Sequence, residues 1–266
     1  MKDLSVTIIQ SDPLWLNVSE NLLSLDKLLM GIHEETDIIL LPEMFNTGFV
    51  TDPGLTDNEA SALTIGWMNK WADKKNCIIS GTLIVKEAGQ NMNRLIWMKP
   101  GGCFEHYDKR HLFRFENEHS GFRSGNKELI VNVKGWKLKP LICYDLRFPV
   151  WCKNRFINGT YEYDIILFLS NWPAPRSHTW KSLLLSRAIE NQCYAIGVNR
   201  FGTDGNNIHH NGESMIVDQR GEHLAILRKG KQDVKSISLS YKHLNDDRKR
   251  FTVGLDWDSF NIEYQI

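Results

Sequence analysis

Apolar residues in this chain fall into short, unbroken runs separated by longer stretches of helical period. The runs LSVTIIQ (4–10), DIILL (37–41) and DIILFL (164–169) have strand length and leave no polar face. Between the first two, Leu16, Leu22, Leu25, Leu29 and Ile32 recur near helical spacing and predict a helix over 19–34. A second helix is predicted to start at Asp57 or Asn58, either a suitable N-cap, and to end near Lys75. Strands over 77–85 and 93–98 flank the turn residues Gly89-Gln90-Asn91. Hairpins are predicted at 129–143 around Lys134-Gly135 and at 215–227 around Arg220-Gly221. Helices over 146–158 and 177–192 and a strand over 194–199 complete the pattern. Residues 105–125 carry charges and aromatics without a period, and 251–266 read as a tail.

Strands that are apolar on both faces and alternate with helices predict a layered α/β fold with helices covering the sheets. The hairpins exclude a purely parallel sheet. No linker, repeat or low-complexity tract divides the chain, so residues 1–266 are expected to form one domain.

Composition narrows the function. The 32 basic and 32 acidic residues cancel, which argues against a nucleic-acid partner. The longest apolar runs are too short to cross a membrane, and the start MKDLSVTIIQSD does not read as a signal peptide. The five cysteines are odd in number and scattered, with no CxxC spacing, so reduced thiols and a cytoplasmic setting are expected. His209-His210 lacks the spacing of a metal site, and no metal is expected.

Ligands of α/β folds bind beyond the carboxyl ends of strands. Three apolar strands break into polar residues there: DIILLPE at Glu43, PLICYD at Cys143, and DIILFLSNW at Ser170-Asn171-Trp172. Cys143 taken alone reads as a buried small hydrophobe. The abrupt change from strand to polar turn supplies a second reading, a nucleophile facing backbone N–H groups of a helix that starts near Leu146. A thiol nucleophile needs a base. None of the nine histidines occupies a strand end, and His111 and His119 lie in the charged loop without distinction. A carboxylate at Glu43 could take the thiol proton instead, and Lys109 in HYDKRHLF could hold a negative tetrahedral intermediate. Read singly, Glu43 is equally a solvated turn residue and Lys109 a solvated loop lysine.

Together the three segments resemble the nitrilase superfamily of carbon–nitrogen hydrolases. LLPEMFNTG resembles its glutamate motif, YDKRHLF its lysine motif and LICYDLRFP its cysteine motif. The resemblance implies a four-layer α-β-β-α sandwich, Glu43 as general base, Lys109 as catalytic lysine and Cys143 as nucleophile, with the Tyr144 backbone N–H and Lys109 receiving the oxyanion. It also implies a second glutamate, matched by Glu118 with Glu116 as the alternative. YDKRHLF, CYDLRFP and NWPAPR look most like the omega-amidase branch, which hydrolyses the terminal amide of 2-oxo acid monoamides. A carbamoyl-amine hydrolase or general aliphatic amidase is the alternative. No cofactor is implied, and a homodimer acting on a small-molecule amide is. Arg176 is the candidate for the substrate carboxylate, with Phe45, Tyr144, Trp172 and Trp180 as apolar walls. Asp145 and Arg147 are read as fixing the turn, and Arg187 as a structural ion pair.

Overall fold

The computed structural model describes residues 1–263. Its framework is a chain-order series of strands and helices. Strand β1 (Leu4–Gln10) leads to helix α1 (Val18–Met30), β2 (Ile38–Leu40) and helix α2 (Asn58–Lys75). Strands β3 (Ile78–Glu87), β4 (Gln90–Met98), β5 (Phe104–Asp108), β6 (Val131–Val133), β7 (Trp136–Ile142) and β8 (Ile165–Ser170) follow. Helix α3 (Ser177–Glu190), β9 (Tyr194–Asn199), β10 (Met215–Val217), β11 (His223–Ile226), β12 (Asp233–Leu239) and α4 (Tyr241–Arg250) complete it. They form two six-stranded sheets, ordered β12-β1-β2-β3-β4-β5 and β11-β10-β9-β8-β7-β6.

The two sheets share a plan. In each, three parallel strands lie side by side, β1-β2-β3 and β7-β8-β9, with antiparallel strands outside them. The parallel strands are buried on both faces, which is why they read as continuous apolar runs. Their two-residue period divides the side chains between layers. Val6, Ile8, Ile38 and Leu40 face the second sheet, while Ile9, Ile39 and Leu41 face α1 and α2. Trp180, Leu184 and Ala188 of α3 cover the outer face of the second sheet. The result is the four-layer α-β-β-α sandwich.

Local chemistry sets the boundaries. Asp57, not Asn58, caps α2, its carboxylate accepting from the Ala60 N–H at 2.7 Å. Asn76 ends that helix in the left-handed conformation at φ 48°. Pro140 is tolerated inside β7 because β6 pairs only with residues 136–138.

The helix expected over 146–158 does not form. Pro149 opens one turn, Pro149–Cys152, and the chain then folds into the hairpin Phe156–Ile157/Thr160–Tyr161. Its turn residues Asn158 and Gly159 have φ of 50° and 77°, the geometry that Asn-Gly favours. Strand β5 emerges from the aperiodic 105–125 region, and β12 pairs with β1 along its full length. The expected tail begins with a 3-10 turn at Val253–Asp256, and its last three residues lie outside those described. Among the described residues no helix is long and apolar enough to cross a membrane.

Candidate active site

Four strand ends converge on one buried cluster, and Lys109, Cys143 and Asn171 of it line a cavity. Glu43 stands three residues beyond β2, Lys109 directly follows β5, Cys143 directly follows β7 and Asn171 directly follows β8. The first two come from one sheet and the last two from the other.

Lys109 and Glu43 are fully buried charges, and their side chains meet. The Lys109 ammonium donates to Glu43 Oε1 at 2.7 Å and to both oxygens of Glu118, at 2.9 and 3.0 Å. Asn93 on β4 donates to Glu43 at 2.8 Å and to Glu118 at 3.0 Å, and so locks the two carboxylates together. Asn171 closes the set from the other sheet, its N–H donating to Glu43 Oε2 at 2.9 Å and its amide to the Glu43 carbonyl at 2.5 Å. Burial alone would lower the Lys109 pKa, but Glu118 and Glu43 outweigh it and hold the ammonium protonated. Burial raises the Glu118 pKa, with Lys109 acting against it.

The Cys143 thiol is buried beside this cluster, close enough for Glu43, Lys109 and the Asn171 N–H to act on its pKa. Burial, then the negative charge of Glu43, push its pKa well up, so the resting group is a thiol. Cys143 has φ 39° and starts the 3-10 turn Cys143–Arg147. A left-handed non-glycine residue of this kind costs about 1–3 kcal/mol and persists only where its surroundings impose it. The chain beyond the 3-10 turn makes only the short turn Pro149–Cys152 before the hairpin. Tyr144 is the second residue of the 3-10 turn, where a backbone N–H has no acceptor within the turn.

The cavity is walled by Phe49, Phe113, Tyr144, Trp172 and Pro173, with Arg147, Arg176, Glu116, Asp204 and His210 among its polar residues. Trp172 and Arg176 therefore line the cavity. Phe45 and Trp180 do not line the cavity. Phe45 is buried against Trp67 and closely faces Gly81, as part of the layer beneath α2. Trp180 lies behind Trp172, with ring centroids 5.5 Å apart, and donates to the Glu213 carbonyl. Their apolar side chains follow the helix–sheet packing and so point away from the strand ends.

Of the two candidate glutamates, Glu118 belongs to the buried cluster, while Glu116 lines the cavity 3.9 Å from Arg176. Arg147 lies with its guanidinium 4.8 Å from the Trp172 ring and has no carboxylate partner among the described residues. Asp145 is buried and ties down the turn, and Arg187 pairs with Glu190 while donating to the Leu146 carbonyl. His111 contacts Asp145 but not the thiol cluster, and His119 is exposed. His209 is exposed and His210 buried, on opposite faces of a short strand. Asn93, Phe49 and Phe113 were not singled out from the sequence. A mid-strand asparagine carries no local signal of the carboxylates it holds, nor loop phenylalanines of the cavity they wall.

A buried thiol, a carboxylate in reach of it and a locked ammonium are the parts of nucleophilic acyl transfer. The carbon-nitrogen hydrolase family model matches residues 5–246. Over 262 residues the chain is 39% identical to the omega-amidase YafV of Escherichia coli strain K12, covering 98% of this chain and all of that one. It is 31% identical over 225 residues to the 2-oxoglutaramate amidase of Bacillus subtilis, covering 83% of this chain and 85% of that one. The crystal structure of XC1258 from Xanthomonas campestris, a CN-hydrolase superfamily protein, matches with TM-score 0.92 at 37% identity, covering 99% of this chain and all of that one. Saccharomyces cerevisiae Nit3, of the nitrilase superfamily, shares the fold at TM-score 0.81 and 22% identity, covering 94% of each chain.

Proposed function

This chain belongs to the carbon-nitrogen hydrolase family and hydrolyses carbon–nitrogen bonds other than peptide bonds, and within that family we propose that it is an omega-amidase. Its substrate is a 2-oxo acid monoamide such as 2-oxoglutaramate or 2-oxosuccinamate. Its products are the 2-oxo dicarboxylate and ammonia.

Glu43 takes the Cys143 proton as the sulfur attacks the amide carbon. The oxygen becomes an oxyanion, held by the Lys109 ammonium and the Tyr144 N–H. Glu43 returns the proton to the departing nitrogen, the carbon–nitrogen bond breaks and ammonia leaves. Water, giving its proton to Glu43, attacks the thioester. The carbon–sulfur bond breaks, the sulfur regains that proton, and the product leaves as the carboxylic acid, which gives its remaining proton to solvent. Glu118 keeps Lys109 charged and in place throughout. The raised thiol pKa supports this order, because a resting thiol needs a base at the moment of attack. The charge then only moves from Glu43 to sulfur and onward, so the buried cluster never gains net charge.

The observation that carries the reading is the buried contact of Lys109 with Glu43 and Glu118 beside a thiol, in a cavity that also holds two guanidiniums. Arg147 and Arg176 would hold the substrate carboxylate, and Trp172 the chain between carboxylate and amide. Ammonia release from 2-oxoglutaramate in its open form, compared with N-carbamoyl amines and simple aliphatic amides, tests this. Activity confined to the carbamoyl compounds or simple amides refutes it. Cys143→Ala should remove turnover and leave a folded protein, and full activity in that variant would refute the mechanism.

We also propose a homodimer in the cytoplasm. Five unpaired cysteines favour a reducing compartment. Val150, Ile189, Phe251 and Leu255 are exposed apolar residues on segments joined by the Lys153–Glu190 and Gln192–Phe251 contacts, a surface suited to a second copy. Light scattering that gives a monomer at micromolar concentration would refute the dimer.

A further inference from the structure

We infer that Asp145 is a positioning residue that registers the oxyanion-binding lysine against the nucleophile, acting through Tyr107 and His111. This rests on the roles given above to Cys143 and Lys109.

The buried Asp145 carboxylate accepts from three segments. Oδ1 accepts from the His111 backbone N–H at 3.0 Å and contacts His111 Nδ1 at 2.8 Å. Oδ2 accepts from the Tyr107 hydroxyl at 2.8 Å and from the Ile142 N–H at 3.1 Å. Tyr107 and His111 stand two residues before and two residues after Lys109, on the first sheet's side. Ile142 immediately precedes Cys143, on the second sheet's side. One carboxylate therefore clamps the chain on both flanks of Lys109 to the residue that carries Cys143 into its left-handed turn.

The clamp is backed on each side. The Tyr107 hydroxyl accepts from Trp151 Nε1 at 3.0 Å and from the Arg110 N–H at 3.2 Å, so its own proton is directed to Asp145. Burial, then the charge of Asp145, push the Tyr107 pKa well up and keep it a donor. The His111 ring stacks on Phe148 at 3.6 Å between centroids, 6° from parallel, against the far end of the nucleophile turn. None of these groups lines the cavity at Cys143. Their effect on the reaction can run only through the relative placement of Lys109, Tyr144 and Cys143.

That role has a signature that fold maintenance lacks. Alkylation of Cys143 by iodoacetamide forms a carbon–sulfur bond, expels iodide and passes the thiol proton to Glu43. It builds no oxyanion. Amide hydrolysis needs the same thiol and base and also the registered lysine. In Tyr107→Phe and Asp145→Asn, kcat for the amide should fall by about 10- to 100-fold, a partial loss of what one oxyanion donor supplies. KM and the alkylation rate of the Cys143 peptide, followed by mass spectrometry, should stay within about threefold. Parallel loss of both reactions, loss of alkylation alone, or no loss of either overturns the brace. Tyr107→Phe leaves the packing nearly unchanged, so it decides the question if Asp145→Asn fails to fold. Cys143→Ala serves as the separate control. Turnover in that variant would refute the assigned nucleophile, whereas a failed brace leaves the wild-type activity and the Cys143→Ala result untouched.

Discussion

At the scale of single residues, the site depends on protons held in unusual places. Cys143 keeps its proton because it is buried beside a carboxylate, and Lys109 keeps its own because two carboxylates surround it. Glu43→Gln leaves the hydrogen-bond geometry nearly intact but removes the proposed base. Its kcat should fall by about 10²- to 10⁴-fold, measured as ammonia release. His210 gives a different pH dependence. Burial, then the charge of Arg200, push its imidazole from 6.5 down to about 3. The folded protein therefore refuses a proton that the unfolded chain accepts between those values. The stability contribution is complete above about pH 6.5 and is lost as pH falls toward 3, by up to about 1.4 kcal/mol per unit. The melting temperature of the wild type should thus fall faster between pH 6 and 4 than that of His210→Gln. Equal slopes would refute the assignment.

At the scale of elements, the sequence located most strands and helices but misjudged what ended them. The segment 146–158 reads as a helix in which Pro149 is tolerable near the first turn. Asn158-Gly159 decides against that helix, because the pair accepts two positive φ values and makes a hairpin. Strand β5 carries no apolar period because its inward positions are Glu105 and Tyr107 while Phe104 is exposed. Two glycines test how the elements pack. A Cβ on Gly197 of β9 would lie 2.5 Å from Leu184 and 2.6 Å from Trp180, so Gly197→Ala should push α3 from its sheet. It should destabilise by about 1–3 kcal/mol in urea unfolding. Gly66 lies exposed within α2 with open space around its Cβ position, so Gly66→Ala should stabilise by about 0.5–1 kcal/mol. Opposite signs from the same substitution would separate packing from backbone entropy.

At the scale of the whole molecule, the active site is the place where two sheets of the same plan meet. Glu43 and Lys109 arrive from one and Cys143 and Asn171 from the other, and the Asn171–Glu43 and Tyr107–Asp145 contacts bind the two. Lys109 should matter to the fold as well as to the reaction. Lys109→Met would leave Glu43 and Glu118 buried without their cation, and it should cost about 3–5 kcal/mol by urea unfolding. A loss below about 1 kcal/mol would mean that the carboxylates find another partner or a proton at little cost. The sequence by itself determined the layered α/β class, because strands buried on both faces must be apolar throughout. It also carried Glu43 and Cys143 at points where an apolar strand turns polar, and Lys109 in a charged loop, each within a motif that resembles the family's. It could not decide which side chains share the cavity. Glu116 and Glu118 are two residues apart in the same loop, and only the path of that loop turns one toward Lys109 and the other toward Arg176. Phe45 and Trp180 looked like cavity walls, yet helix–sheet packing directed them elsewhere. Asn93, Asn171 and Asp145 hold the cluster through contacts with residues 50, 128 and 38 positions away. Contacts across such separations leave no local pattern in the chain, so they arise only when the sheets pack.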